Sequence, residues 1–168
     1  MFQSKIFRLI LVLLFCLFCI FFPIYNNYSL LQIVYGTIGS ISVVTILLIT
    51  IWIFNFVFLT KIIVPLNYEI SLVITIFGLL LYMSSMGFIQ LDIYSYGYYP
   101  NKIFILSIIM WCLFLININR LYSWITLIAI IGFYFKIISS NNLWDYIIDP
   151  IVWIMSIVTV IKNQIKEP

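Results

Sequence analysis

Residues 30–59 run for thirty positions without a charged side chain. A soluble domain has no place for such a segment, because its outside must face water. A helix crossing a bilayer needs roughly 20 apolar residues, within a range of about 17–25. Five further apolar runs accompany this one, at about 6–24, 70–89, 103–118, 121–138 and 146–161. None alternates polar and apolar with period two, which disfavours a barrel. A helix pairs its own backbone groups, as lipid demands. The chain of 168 residues therefore reads as one all-α membrane domain, a polytopic bundle of about six transmembrane helices.

Composition points the same way. Hydrophobic residues make up 65% and charged residues 8%, against about a quarter charged in an ordinary soluble domain. The stretches between the runs are too short for an extramembrane domain. The net charge of +3 is small and scattered, which argues against nucleic acid and for the lipid bilayer as the main partner.

The basic residues orient the runs. With the N-terminus in the cytoplasm, Lys5, Arg8, Lys61, Arg120, Lys162 and Lys166 fall inside, and Lys102 and Lys136 fall outside. That bias follows the positive-inside rule and puts both termini in the cytoplasm. A bacterial inner (plasma) membrane is the expected location. Lys5 and Arg8 precede "LILVLLFCLFCIFF", which has the look of a signal peptide. The next residues, "PIYNN", offer no small-residue cleavage site, so the run is read as an uncleaved first helix closed by Pro23.

Two runs depart from ideal length. The second exceeds what a bilayer needs, so it is expected to tilt or protrude. The sixth, at 16 residues, rises only about 24 Å. A re-entrant last segment is the alternative, but it would carry Lys162 and Lys166 outside.

Helices in lipid associate through small residues and polar contacts. Gly36 and Ser40 stand four apart, as one small-residue face of the second helix. Asn55 is expected to bond to a neighbouring helix. Lys61, Pro65, Asn67, Tyr68 and Glu69 form an inner turn, and "NINR" at 117–120 forms another.

Polar chemistry gathers in two outer loops, "QLDIYSYGYYPNK" (90–102) and "SSNNLWDYIIDP" (139–150). Together they present Asp92, Tyr96, Lys136, Asn142, Trp144, Asp145 and Asp149 as a candidate recognition patch for a sugar, a lipid headgroup or a membrane protein. The same residues have a structural reading. Asp149-Pro150 is a helix start, with Asp as cap and Pro at the first helical position. Ser140 or Asn141 would cap a short turn containing Asp145. Trp and Tyr suit the membrane interface. Lys136, in the last turn of the fifth helix, would pair with Asp145 or Asp149 as their buried partner.

Absences narrow the chemistry. The chain has no histidine, which removes histidine-based zinc sites and Ser-His or Cys-His catalysis. Cys16 and Cys19 lie deep in the first apolar run and read as apolar filler rather than a redox pair. Cys112 has no evident partner, and no Gly-rich phosphate loop is present. No cofactor or metal site is expected.

Three functions remain. The first is a non-enzymatic membrane protein acting through a partner protein or as a homo-oligomer, as an accessory or assembly subunit or an immunity-type protein. The second is a small transporter or channel-like component with a path near Asn55, Ser84, Ser85 and Gln90. The third is a membrane enzyme or binder for a lipid-linked or sugar substrate, using the outer-loop aspartates. Short loops and the missing catalytic set favour the first.

Overall fold

The structure, a computed structural model, describes residues 2–59 and 66–166, with side chains from 5 to 165. Lys61 and Pro65 of the expected inner turn lie outside the described residues. The protein is mostly helical. The helices are α1 (Phe2–Phe21), α2 (Leu30–Ile38), α3 (Val43–Phe58), α4 (Tyr68–Ser85), α5 (Lys102–Leu115), α6 (Arg120–Tyr134), α7 (Trp144–Ile147) and α8 (Pro150–Lys166).

Local chemistry sets the helix boundaries. Asn67, Asn101 and Asn119 each accept a backbone N–H three residues on, capping α4, α5 and α6 and pairing a donor that every helix start leaves open. α1 stops before Pro23, which opens a small antiparallel hairpin of β1 (Pro23–Tyr25) and β2 (Tyr28–Ser29). Its turn places Asn26 and Asn27 at positive φ, 47° and 65°, a conformation that asparagine tolerates better than most residues. This hairpin was not legible as a strand signal.

The second apolar run is not the single tilted helix expected. It divides into α2 and α3. Ser29 and Gln32 close a capping box at the start of α2. Gly39, at φ 82°, ends that helix, and Ser42 accepts the Thr45 N–H at 3.0 Å to begin α3. The expected small-residue face therefore fails. Gly36 is exposed, with open space where a Cβ would stand, and Ser40 lies beyond the end of α2. Close packing uses another glycine. A Cβ on Gly78 of α4 would land on the Trp153 indole of α8.

The last apolar run is also divided, into the short α7 and the continuous α8. Trp153 Nε1–H donates to Thr75 O at 3.1 Å, and Gln164 Nε2 donates to Tyr68 Oη at 2.9 Å. α8 is thus one continuous helix lying antiparallel beside α4.

α5 and α6 form a second antiparallel pair, tied by Ser123 Oγ–H to Cys112 O. Val44, Leu48, Ile70, Ile74, Leu115, Ile125, Ala129, Tyr146 and Val152 belong to the buried core that joins the helices. α1 packs at the edge on α2 and α3, leaving Phe7, Leu13, Leu14, Phe15, Leu17 and Phe21 exposed.

Among the described residues one helix, α4, is long and apolar enough to cross a membrane by length and composition. α3, α5, α6 and α8 are apolar but shorter. At 14 to 16 residues, α3, α5 and α6 rise about 21–24 Å, against a hydrocarbon core of about 30 Å.

Candidate functional site

Three polar connections meet at one end of the bundle: the break between α2 and α3, the segment between α4 and α5, and the segment from α6 to α8. They are joined by side chains rather than by a sheet.

Asp149 is at the centre and is 3% exposed. Its Oδ1 accepts the Val152 N–H and the Thr45 Oγ1–H, each at 2.8 Å, and its Oδ2 accepts the Ser42 N–H at 2.8 Å. The Val152 bond is the helix cap read from Asp149-Pro150. The bonds to Ser42 and Thr45 had no sequence signal, because they link residues more than a hundred positions apart. One carboxylate thereby serves the N-termini of both α3 and α8, where the peptide dipoles favour negative charge. A buried charge is tolerated when it is hydrogen-bonded in this way.

Asp145 is half-buried on α7. It accepts the Tyr94 Oη–H at 2.7 Å on Oδ1 and the Ser140 Oγ–H on Oδ2. Burial first, and then this bond to a carboxylate, push the Tyr94 phenol well above the usual tyrosine range, because both favour the neutral donor. Asn142, fully buried, donates from Nδ2 to Tyr94 O and accepts the Trp144 N–H on Oδ1. Trp144 Nε1–H reaches Ile93 O at 3.0 Å, and its indole packs against Phe77 and Phe104. Leu143 N–H bonds to Gly97 O at 2.9 Å. Gly97 must be glycine here, since a Cβ would overlap Asn142 Oδ1. Ser84, at the top of α4, donates to Leu91 O and accepts the Ile93 N–H, both at 2.7 Å. The two connections are thus stitched into one cap.

The proposed patch therefore separates into two groups. Asn142, Trp144, Asp145 and Asp149 turn inward as the stitching. Asp92, Tyr96 and Lys136 are exposed. Asp92 only holds the local turn, accepting the Ser95 N–H at 3.1 Å. Lys136 is not the buried partner of the aspartates. It takes a left-handed conformation, φ 51°, just past the end of α6, and lies in an open cleft of about 500 Å³ with Tyr98, Tyr99, Phe133, Tyr134, Ser140 and Asn141. The aspartates take hydroxyl and amide donors in its place. Tyr99 is 92% exposed.

Of the expected packing residues, Asn55 is half-buried in α3 and engaged with its surroundings. Ser140, expected to cap the turn containing Asp145, accepts the Asn142 N–H at 3.0 Å and donates its hydroxyl to Asp145. Ser42, Thr45, Ser84, Tyr94 and Gly97 also carry the cap and are absent from the expected patch. The Gly39-to-Ser42 spacing, a helix stop followed by a helix cap, was the available signal for the first of them.

Chemically, the cap offers acceptor groups already filled by donors. No cluster of three or more acidic or cysteine side chains able to hold a metal occurs among the described residues. Comparison of the chain with protein-family models, curated proteins and solved structures gives no match.

Proposed function

We propose that this chain is a multi-pass integral membrane protein, crossing six times with both termini cytoplasmic, that works without catalysis by holding a partner membrane protein at its outer cap. A bacterial inner membrane is the setting that suits its charge pattern. The apolar exposure of α1, with Phe15 at 65% and Phe21 at 74%, supports a lipid surround. So does the division of chemistry between the two ends, with polar connections at one and Arg8 at the other.

The observation that carries the binding role is the direction of the cap's side chains. Its buried and half-buried aspartates face inward as scaffold, while Tyr96, Tyr98 and Tyr99 face out from a stitched support. Exposed tyrosines on a rigid base are a common source of binding energy between proteins, because they bury large area at small entropic cost. Anchoring of Ser84 to the Leu91 and Ile93 backbone weakens the alternative of a water path through that residue.

A photo-crosslinking amino acid at Tyr99 tests the reading in native membranes. A discrete protein adduct that disappears when Tyr96 and Tyr98 are changed to Ala supports it; an adduct at twice the chain's mass identifies the partner as a second copy. Absence of any protein adduct at Tyr99 and at Tyr96 contradicts it.

A further inference from the structure

A second cavity, of about 500 Å³, lies below the cap, apart from the cleft that holds Lys136, Tyr98 and Tyr99. Its walls are two helix faces that look at each other without closing. α4 contributes Ile70, Val73, Ile74 and Phe77, and α5 contributes Phe104, Ser107, Ile108, Trp111 and Leu115. Both sets recur at three- and four-residue steps, so each is one continuous stripe. α4 packs chiefly on α8, and α5 on α6, which leaves the slot between the pairs. Tyr122 and Thr126 of α6 form the back wall, and Leu91, Ile93 and Trp144 form the roof.

The lining has no charge, and three of its four polar side chains, Ser107, Thr126 and Trp144, are already engaged, the fourth being Tyr122 on the back wall. Ser107 Oγ–H bonds to Phe104 O, Thr126 Oγ1–H to Tyr122 O, and Trp144 Nε1–H to Ile93 O. A water or a polar ligand would find few partners, and apolar cavities of this kind stay dry. From Phe104 to Leu115 the slot extends about 16 Å along α5. Its volume spread over that length leaves the width of about one hydrocarbon chain. The rim residues Phe77, Ser107 and Trp111 are exposed. The mouth therefore opens on the flank of the bundle, where the exposed neighbours are Ile76, Leu80, Leu106 and Met110, and not through the polar cap.

We infer that this slot between α4 and α5 binds one acyl chain of a bilayer phospholipid. The inference rests on the membrane reading above, since the chain enters from the lipid that covers the same flank, but it does not depend on the protein partner at the cap.

Tryptophan quenching tests it. Trp144 is 5% exposed and forms part of the slot's roof, while Trp52 on α3 is 66% exposed. Two forms of the full chain, each keeping one of these tryptophans and carrying Phe at the other four positions, are placed in vesicles of phosphatidylcholine brominated on its acyl chains. Bromine quenches only on close approach. The expected result is loss of Trp144 emission comparable to that of Trp52, and recovery of Trp144 alone when Ser107→Phe fills the slot. Quenching of Trp52 with Trp144 untouched overturns the inference. Equal quenching of Trp144 with and without Ser107→Phe also overturns it, because the bromine then arrives by another route. If Trp52 itself is unquenched, the membrane reading fails, and the lipid occupant fails with it.

Discussion

Asp149 shows how one side chain joins distant parts of this chain. Truncation to Ala leaves the Ser42 N–H, the Val152 N–H and the Thr45 hydroxyl without their acceptor. Each unsatisfied buried group costs about 1–3 kcal/mol, and a lost cap about 1. Asp149→Ala should therefore destabilise the protein by about 3 kcal/mol or more, read as a fall in the denaturation midpoint in detergent. Asp149→Asn keeps one oxygen and should lose less. Equal stability of wild type and Asp149→Ala would remove Asp149 as a structural link. Tyr94 adds a pH signature. Its folded-state pKa is raised, while an unfolded tyrosine titrates near about 10. The unfolded chain then releases a proton that the folded one keeps, so this stabilisation is complete below about pH 10 and declines as pH rises beyond it. Tyr94→Phe should lower the midpoint by a constant amount at neutral pH, and its gap from wild type should narrow above about pH 10. A gap that widens there contradicts the assignment.

At the scale of elements, the α4–α8 pair depends on Gly78, whose missing Cβ makes room for the Trp153 indole. Gly to Ala favours an isolated helix by about 1 kcal/mol, yet Gly78→Ala should destabilise by about 1–3 kcal/mol through overpacking. Adding Trp153→Leu should recover part of the loss, as contacting residues couple in a double-mutant cycle. Gly36→Ala, in open space, should be neutral or slightly stabilising. The reverse order of these two glycines would refute the packing described. The spacing of Gly36 and Ser40 fits one helix face, but Gly39 ends α2 between them. The apolar runs, the Asp149-Pro150 helix start and the clustering of polar residues in two connections were legible, since they depend on local patterns. The partners of Asp145 and Asp149 were not, because Tyr94, Ser42 and Thr45 come from distant segments and nothing local marks them. Lys136 has the charge and the place near the end of a helix that suit a partner of the aspartates, but the end of α6 at Tyr134 leaves it exposed.

Across the whole molecule the two ends differ in chemistry. At one end Ser42 bonds to Asp149, Tyr94 to Asp145 and Asn142, and Gly97 to Leu143. At the other, Arg8 Nη1 donates to Phe56 O at 3.0 Å near the C-terminus of α3, where a cation is favoured, and Gln164 meets Tyr68. The account requires these ends to lie on opposite sides of a membrane, the cap outside and both termini within. Cysteine labelling in intact cells measures this directly, using a chain whose three native cysteines are replaced by Ala. Tyr99→Cys should react with a membrane-impermeant maleimide added from outside, and Gln164→Cys should react only after the membrane is permeabilised. Labelling of both positions in intact cells, or of Gln164→Cys alone, would contradict the account.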